Sequence, residues 1–284
     1  MATVDVQTLK ARERDSWNAA AEGWRRRDAL LRQGAAPVTR RMLELARLSA
    51  GNRVLDIASG TGEPAISAAK QVGDTGQVIG TDLVEAMLDV AREKAAREQL
   101  QNIEFHCVDG ERLRFSPASF DAATIRWGLM FMPDPAACLR QAAEALKPGG
   151  RLVLACWDEL RKNPFVGLLL QTLQQYMEVP APAPGTPGIF ALADPERLQA
   201  LVTEAGFSDF EIESMEIDVL EVEDGKAYWD AISDLAAPVM RLVEQLDPPT
   251  RSRYVANVIE QADRLKTGDT LKMKGTTWIG SAIR

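Results

Sequence analysis

Three carboxylates, Asp56, Asp82 and Asp109, recur at intervals of 26 and 27 residues, each at the end of a short strand-like run. The first lies in VLDIASGTG, Val54 to Gly62, which joins an apolar run to an acid and then to a glycine-rich turn. Val54, Leu55 and Ile57 predict a buried strand, and Gly60 and Gly62 permit a tight backbone turn against a ligand. Ala65, Ile66, Ala69 and Val72 then recur at helical spacing. Strand, turn and helix in that order make a nucleotide-type pocket, although Gly60, Gly62 and Ala65 also satisfy the short GxGxxG/A dinucleotide pattern.

Charge distinguishes the candidates. A dinucleotide places its pyrophosphate at the start of the helix, where a carboxylate such as Asp56 just upstream repels it. S-adenosylmethionine carries an ammonium and a sulfonium and no phosphate, so an acid at the strand end complements its amino-acid tail. Asp82 has a task with either ligand, because one carboxylate can accept from both hydroxyls of a ribose.

These acids need a frame that brings them together. QVIGTD (Gln77 to Asp82) reads as a second strand, with Val84, Met87, Leu88, Ala91 and Ala95 on one face of the following helix. IEFHCVD (Ile103 to Asp109) and FDAATIRW (Phe120 to Trp127) read as the third and fourth strands. A helix over Ala136 to Leu146, a turn at Pro148, Gly149 and Gly150, and a fifth strand RLVLACW (Arg151 to Trp157) follow. Strands alternating with helices imply an α/β fold with a parallel sheet. Its strands all end at one edge, so Asp56, Asp82, Asp109 and Trp127 are expected to line one crevice.

Additions surround this core. Residues 1–50 read as a helical N-terminal segment and 51–157 as the ligand-binding core. Residues 158–194 read as a substrate-side insertion with an apolar Phe165 to Leu173 segment and the loop PAPAPGTPG. Over 195–284 the pattern predicts a helix (Pro195 to Ala205), a strand (Phe210 to Val222) and a terminal strand (Thr270 to Ile283). Between the strands, at about 224–268, it predicts two helices, Lys226 to Leu246 and Pro249 to Lys266.

Composition bounds the partners. The chain has 284 residues, 46% of them hydrophobic, and a net charge of −8, which disfavours duplex nucleic acid. Arg25, Arg26 and Arg27, with Arg32, Arg40 and Arg41 downstream, form a local basic run. It reads either as a solvated helix face or as a contact for an acidic substrate or membrane surface. Cys107, Cys138 and Cys156 show no paired spacing, so buried reduced thiols are expected, with neither a disulfide nor a metal site. No secretory leader or membrane-spanning stretch is evident, so a cytoplasmic protein without stable membrane insertion is expected.

With these motifs in hand, the chain resembles the class I S-adenosylmethionine-dependent methyltransferases, in the branch that includes the ubiquinone/menaquinone C-methyltransferases. The resemblance covers roughly Arg53 to Phe207. VLDIASGTG resembles the DxGxGxG motif, with Ala58 in place of the first glycine. TDLVEAML resembles the second motif, VDGERLRF resembles GDAExLPF with Arg114 where proline is usual, and FDAATIRWGLMFMPDP and LKPGGRLVLACW extend the match. The resemblance implies a Rossmann-like seven-stranded, mostly parallel sheet with helices on both faces and the last strand antiparallel. It also implies S-adenosylmethionine as cofactor and a small-molecule acceptor. Asp82 would then bind the ribose, Leu83 and Met87 flank the adenine, Asp109 meet its amino group and Gly110 offer backbone. Asp56, Ala58, Ser59, Gly60, Gly62, Arg126 and Trp127 would complete the cofactor contacts. Trp17 and Trp24 resemble the WNxxAxGW pattern of an N-terminal lid, and seven residues apart they also share one helix face that could simply dock the segment.

Methyl transfer is an in-line displacement in which the sulfonium loses its charge, so an apolar or aromatic wall is expected beside the sulfur. Trp127, Met130 and Phe131 are its candidates. No catalytic base is evident: His106 falls within the third strand, and Tyr176, Tyr228, Tyr254 or an insertion carboxylate are undistinguished. The functional expectation is methylation of a small, largely apolar acceptor such as a quinone precursor, phenol, polyketide-like aromatic or lipid. An NAD(P)-dependent oxidoreductase and a non-catalytic S-adenosylmethionine-binding regulator are the alternatives.

Overall fold

The computed structural model describes residues 6–179 and 186–284. Helices α1 (Val6–Arg26) and α2 (Asp28–Ala46) precede an alternating β/α core. The core runs β1 (Arg53–Ile57), α3 (Ala65–Val72), β2 (Gln77–Asp82), α4 (Glu85–Arg97), β3 (Ile103–Cys107), β4 (Phe120–Arg126), α5 (Pro135–Ala145) and β5 (Leu146–Trp157). Then come α6 (Pro164–Leu173), α7 (Pro195–Glu204), β6 (Ser208–Val222), α8 (Gly225–Leu235), α9 (Ala237–Val243), α10 (Pro248–Asp263) and β7 (Leu271–Ile283).

The seven strands form one sheet in the order β3-β2-β1-β4-β5-β7-β6. β1 to β5 run parallel to one another, and β7 inserts antiparallel between β5 and β6. Strand order reverses between β1 and β4, the place where an open α/β sheet leaves a crevice beyond its strand ends. The central strands are mostly apolar because helices cover both faces. Val54, Leu55, Ile57, Ala123, Ile125, Val153 and Leu154 are all fully buried.

The expected Lys226 to Leu246 helix is two helices, interrupted at Ala236. Pro238 explains the break: it offers no N–H to the preceding turn, and its ring crowds the backbone before it. The expected turn at Pro148 to Gly150 is instead the start of β5, which pairs from Leu146 and shifts register against β4 there. The thiol of Cys107 is exposed, contrary to expectation, while Cys138 and Cys156 are buried. Residues 180–185 of the proline-rich loop lie outside the described residues. Among those described, no helix is long and apolar enough to cross a membrane.

The N-terminal helices dock through close backbone approaches. A Cβ on Gly23 would fall 2.4 Å from the Asp234 carbonyl oxygen on α8, and one on Gly34 would fall 2.1 Å from that of Val219 on β6. Any larger residue would push the helices off the core.

Candidate cofactor and acceptor site

The turn after β1 is built from left-handed residues. Ala58 (φ 59°), Gly60 (φ 52°) and Gly62 (φ 104°) reverse the chain, and Gly62 N–H donates to the Ser59 carbonyl at 2.8 Å. Gly62 is needed for closeness as well, since a Cβ there would meet Ile66 Cδ1 at 2.7 Å and Ala91 Cβ at 3.1 Å. Gly60 faces open space, so only its backbone conformation calls for glycine. Ala58 adopts the same conformation with a side chain, at some cost in strain.

Asp82 sits against this turn with both carboxylate oxygens held by backbone: Oδ2 accepts from Gly60 N–H at 2.8 Å and Oδ1 from Val84 N–H at 3.0 Å. Each oxygen keeps a free lone pair for a further donor. Burial raises its pKa, and these backbone hydrogen bonds oppose the rise.

One cavity opens over these strand ends. Ala58, Ser59, Gly60, Asp82, Leu83, Met87, Asp109, Gly110, Arg126 and Trp127 all line it, as do Trp17, Trp24 and Phe131. Three predicted residues stand elsewhere. Gly62 packs behind the turn. Met130 is buried core, because the short 3-10 turn Leu129–Phe131 points it inward, and Met132 takes the place at the wall. Asp56 is fully buried beneath the turn, where its Oδ1 accepts from Thr124 Oγ1 at 2.6 Å and its Oδ2 has no partner. Burial pushes this carboxyl up to about 6, and with no exposed surface Asp56 does not line the cavity as the sequence suggested.

The electrostatic expectation survives on other residues. Five carboxylates line the cavity (Glu13, Glu63, Asp82, Asp109 and Glu111) against two cations, Lys10 and Arg126. Lys10 is spent on Asp109 Oδ2 at 2.6 Å and Glu111 Oε2 at 2.5 Å. Such a wall repels a pyrophosphate and favours a cationic ligand.

Lys10, Glu13 and Glu111 were not anticipated. A signal was present nonetheless: Lys10, Glu13, Trp17, Ala20 and Trp24 recur at spacings of three, four, three and four along α1, which places them on one face. That face covers the cavity. Trp17 meets Trp24 edge-on at 5.6 Å and Phe131 at 5.2 Å, and Ala20 and Ala21 pack on Val84 and Met87.

Trp127 and Arg126 end β4 together. Trp127 adopts φ 57°, donates from Nε1 to Thr277 Oγ1 at 2.9 Å and stacks on Trp157 with centroids 4.3 Å apart. Phe165 of α6 packs against Trp157 in turn. Among the described residues, 158–194 supplies no side chain to the cavity wall, and Phe165 supports its aromatic part from behind. The Arg126 guanidinium lies 5.1 Å over the Trp127 ring and donates to Thr39 Oγ1 at 2.6 Å, and burial lowers its pKa.

The candidate bases named from sequence are remote. Tyr228 and Tyr254 are fully buried and donate to the Phe165 and Leu169 carbonyls, and Tyr176 donates to the Arg253 carbonyl. His106 sits half-exposed on the edge strand beside Glu104.

The residues present fit S-adenosylmethionine: a held carboxylate with free lone pairs, an apolar slot at Leu83 and Met87, an acidic wall and a partly aromatic one. The comparisons agree. Residues 38–186 match the ubiE/COQ5 methyltransferase family. The chain is 35% identical over 197 residues to the ubiquinone/menaquinone biosynthesis C-methyltransferase UbiE of Pseudomonas putida, covering 64% of this chain and 75% of that one. The fold is that of the YcgJ protein from Bacillus subtilis, with TM-score 0.59 and 18% identity, covering 88% of this chain and 98% of that one. It is also that of phosphoethanolamine N-methyltransferase 2 from Haemonchus contortus, solved with S-adenosylhomocysteine. That match has TM-score 0.59 and 18% identity and covers 100% of this chain and 61% of that one. The oxidoreductase and the non-catalytic regulator are thereby set aside. With its acidic cavity at the β1/β4 switch point and more than half its length matching one family, the chain belongs to the ubiE/COQ5 methyltransferase family and is an S-adenosylmethionine-dependent methyltransferase.

Proposed function

We propose that this methyltransferase acts on a small, largely apolar acceptor of the phenol or quinone-precursor class, held beneath a lid formed by α1 and α2. The observation that carries this reading is the aromatic wall of Trp17, Phe131 and Trp127, which offers flat apolar surface beside an otherwise acidic cavity. The relatives named for ubiquinone and menaquinone biosynthesis support the same acceptor class.

In this reading Asp82 accepts from the ribose, Leu83 and Met87 flank the adenine, and Asp109 and Gly110 meet its edge. Ala58, Ser59, Gly60, Arg126 and Trp127 surround the amino-acid tail. When bound, S-adenosylmethionine supplies an electrophilic methyl group on a sulfonium. The protein's part is orientation and exclusion of water, since α1 closes the cavity with Trp17 and Trp24.

Glu13 is the carboxylate placed to take the acceptor's proton. It lines the cavity, its Oε2 has no partner among the described residues, and burial raises its pKa while Arg241 and Trp17 oppose the rise. Incubation with methyl-labelled S-adenosylmethionine and a panel of phenols and hydroquinones, with mass spectrometry of products, tests this function. Glu13→Gln is expected to lower kcat about 100-fold with S-adenosylhomocysteine affinity unchanged. Product formed only from amine or thiol acceptors overturns the acceptor class, and an unchanged kcat removes Glu13 from proton transfer.

A further inference from the structure

The basic run on the first two helices separates into two groups once folded. Arg25 pairs with Glu93 at 2.5 Å, Arg26 and Arg27 with Asp234 at 2.7 and 2.8 Å, and Arg41 with Glu213 at 2.6 Å. These four are neutralised. Among the described residues, Arg32 and Arg40 have no carboxylate within 4.0 Å, and both are exposed on α2. Eight residues apart, they lie about 80° apart around the helix, close enough to border one concavity.

That face lines a groove of about 370 Å³ between α2 and α3. Arg32 and Arg40 enter it from α2, Lys70 from α3, and Arg126 from the end of β4. Its two carboxylates are engaged: Glu44 by Arg41 at 3.2 Å, and Glu63 by the Ser67 N–H at 3.3 Å. Lys70 pairs with Glu98 outside the groove. With Lys70 so paired, Arg32, Arg40 and Arg126 face Glu44 and Glu63, a locally positive concavity on a chain of net charge −8. Arg126 and Glu63 line both this groove and the acidic cofactor cavity, so regions of opposite charge share one wall.

We propose that this groove binds an anionic group, carboxylate or phosphate, carried by the methyl acceptor, with Arg32 and Arg40 as its specificity-determining residues. The proposal rests on the methyltransferase reading of the adjoining cavity. It adds to the apolar acceptor a negatively charged substituent, which forked guanidinium donors suit. Arg126, fixed by Thr39 and by the Trp127 ring, divides the two subsites and leaves further N–H donors beyond the one given to Thr39.

Calorimetric titration of the full chain at low ionic strength tests this, with inorganic phosphate, 4-hydroxybenzoate and its uncharged methyl ester as probes. Arg32→Gln with Arg40→Gln is expected to weaken phosphate and 4-hydroxybenzoate binding at least tenfold and leave methyl-ester and S-adenosylhomocysteine binding unchanged. Arg32→Lys with Arg40→Lys is expected to retain most of the phosphate binding. Phosphate and 4-hydroxybenzoate should compete. Anion binding indifferent to the glutamine pair overturns the proposal, as does binding of anionic vesicles in place of either small anion. Phosphate binding that responds to the variants while 4-hydroxybenzoate does not overturns the assignment to the acceptor. Failure of the wild type to bind S-adenosylhomocysteine would instead count against the cofactor reading, which keeps the two separable.

Discussion

The ammonium of Lys10 on α1 lies 2.6 Å from Asp109 Oδ2, just beyond β3, and 2.5 Å from Glu111 Oε2. This link ties the covering helix to the rim of the cofactor cavity across 99 residues of sequence. Burial lowers the Lys10 pKa, but hydrogen bonds and charges from Asp109 and Glu111 outweigh it, so the net shift is upward from 10.5. The stabilisation is therefore complete below pH 10.5 and disappears as pH rises through the higher folded value. Lys10→Met is expected to cost about 2 kcal/mol, between exposed and buried pairs, and to speed amide hydrogen exchange along α1 selectively. Unchanged exchange in α1 would show that the tryptophan face alone holds the helix.

Asp82 has both oxygens in backbone hydrogen bonds and a place in the cavity wall. Asp82→Asn keeps the side-chain volume and removes the charge. S-adenosylhomocysteine affinity should fall 10- to 100-fold, about 1.4–2.8 kcal/mol for a charge-assisted contact. Calorimetry at fixed pH reads this directly, and an affinity within threefold of wild type would exclude a direct contact.

Asp56 sets a pH dependence of stability opposite to that of a salt-bridged acid. Its folded pKa of about 6 lies above the ordinary 3.8, so the folded state binds the proton more tightly. Stability from this group is full below about pH 4 and is lost as pH rises through 6, amounting to roughly 3 kcal/mol. Denaturant unfolding at pH 5 and pH 7.5 should show about half of this loss, roughly 1.4 kcal/mol, in the wild type and little of it in Asp56→Asn. Equal slopes in the two proteins would remove Asp56 as the source.

Ala58 and Gly128 face each other across the cavity floor, where a Cβ on Gly128 would fall 2.3 Å from Ala58 Cβ. Gly128→Ala should therefore destabilise by 2 kcal/mol or more, about the cost of overpacking. Ala58→Gly relieves a left-handed conformation worth about 1–2 kcal/mol and gives back part of that as unfolded-state entropy. A small gain in Tm is expected from it, and the double change should recover most of what Gly128→Ala loses. Thermal melts of the three variants check both statements.

Much of the architecture was legible because short-range rules govern it. Period-two and period-3.6 patterns marked β2 at its observed limits and the other core elements within a few residues. The repeat of about one βα unit brought Asp82 and Asp109 to one sheet edge. The helix break at Ala236 had a local cause in Pro238 that the apolar periodicity masked. The bases proposed from residue type alone, Tyr176, Tyr228 and Tyr254, are spent on backbone carbonyls, which no spacing reveals.

By itself, then, the sequence determined the α/β frame, the glycine turn and the strand-end acids, since each depends on backbone conformation and side-chain periodicity within one unit. Only the tertiary structure decided how charge is distributed. Burial beneath the turn turned Asp56 from a wall residue into a high-pKa carboxyl, and docking of α1 supplied Lys10 and Glu13 to the cavity. Pairing across 172 to 208 residues neutralised Arg26, Arg27 and Arg41, while Arg32 and Arg40 have no carboxylate partner among the described residues and border a groove. The physical reason is that desolvation and ion pairing depend on what packs within a few ångströms, and those neighbours come from distant parts of the chain.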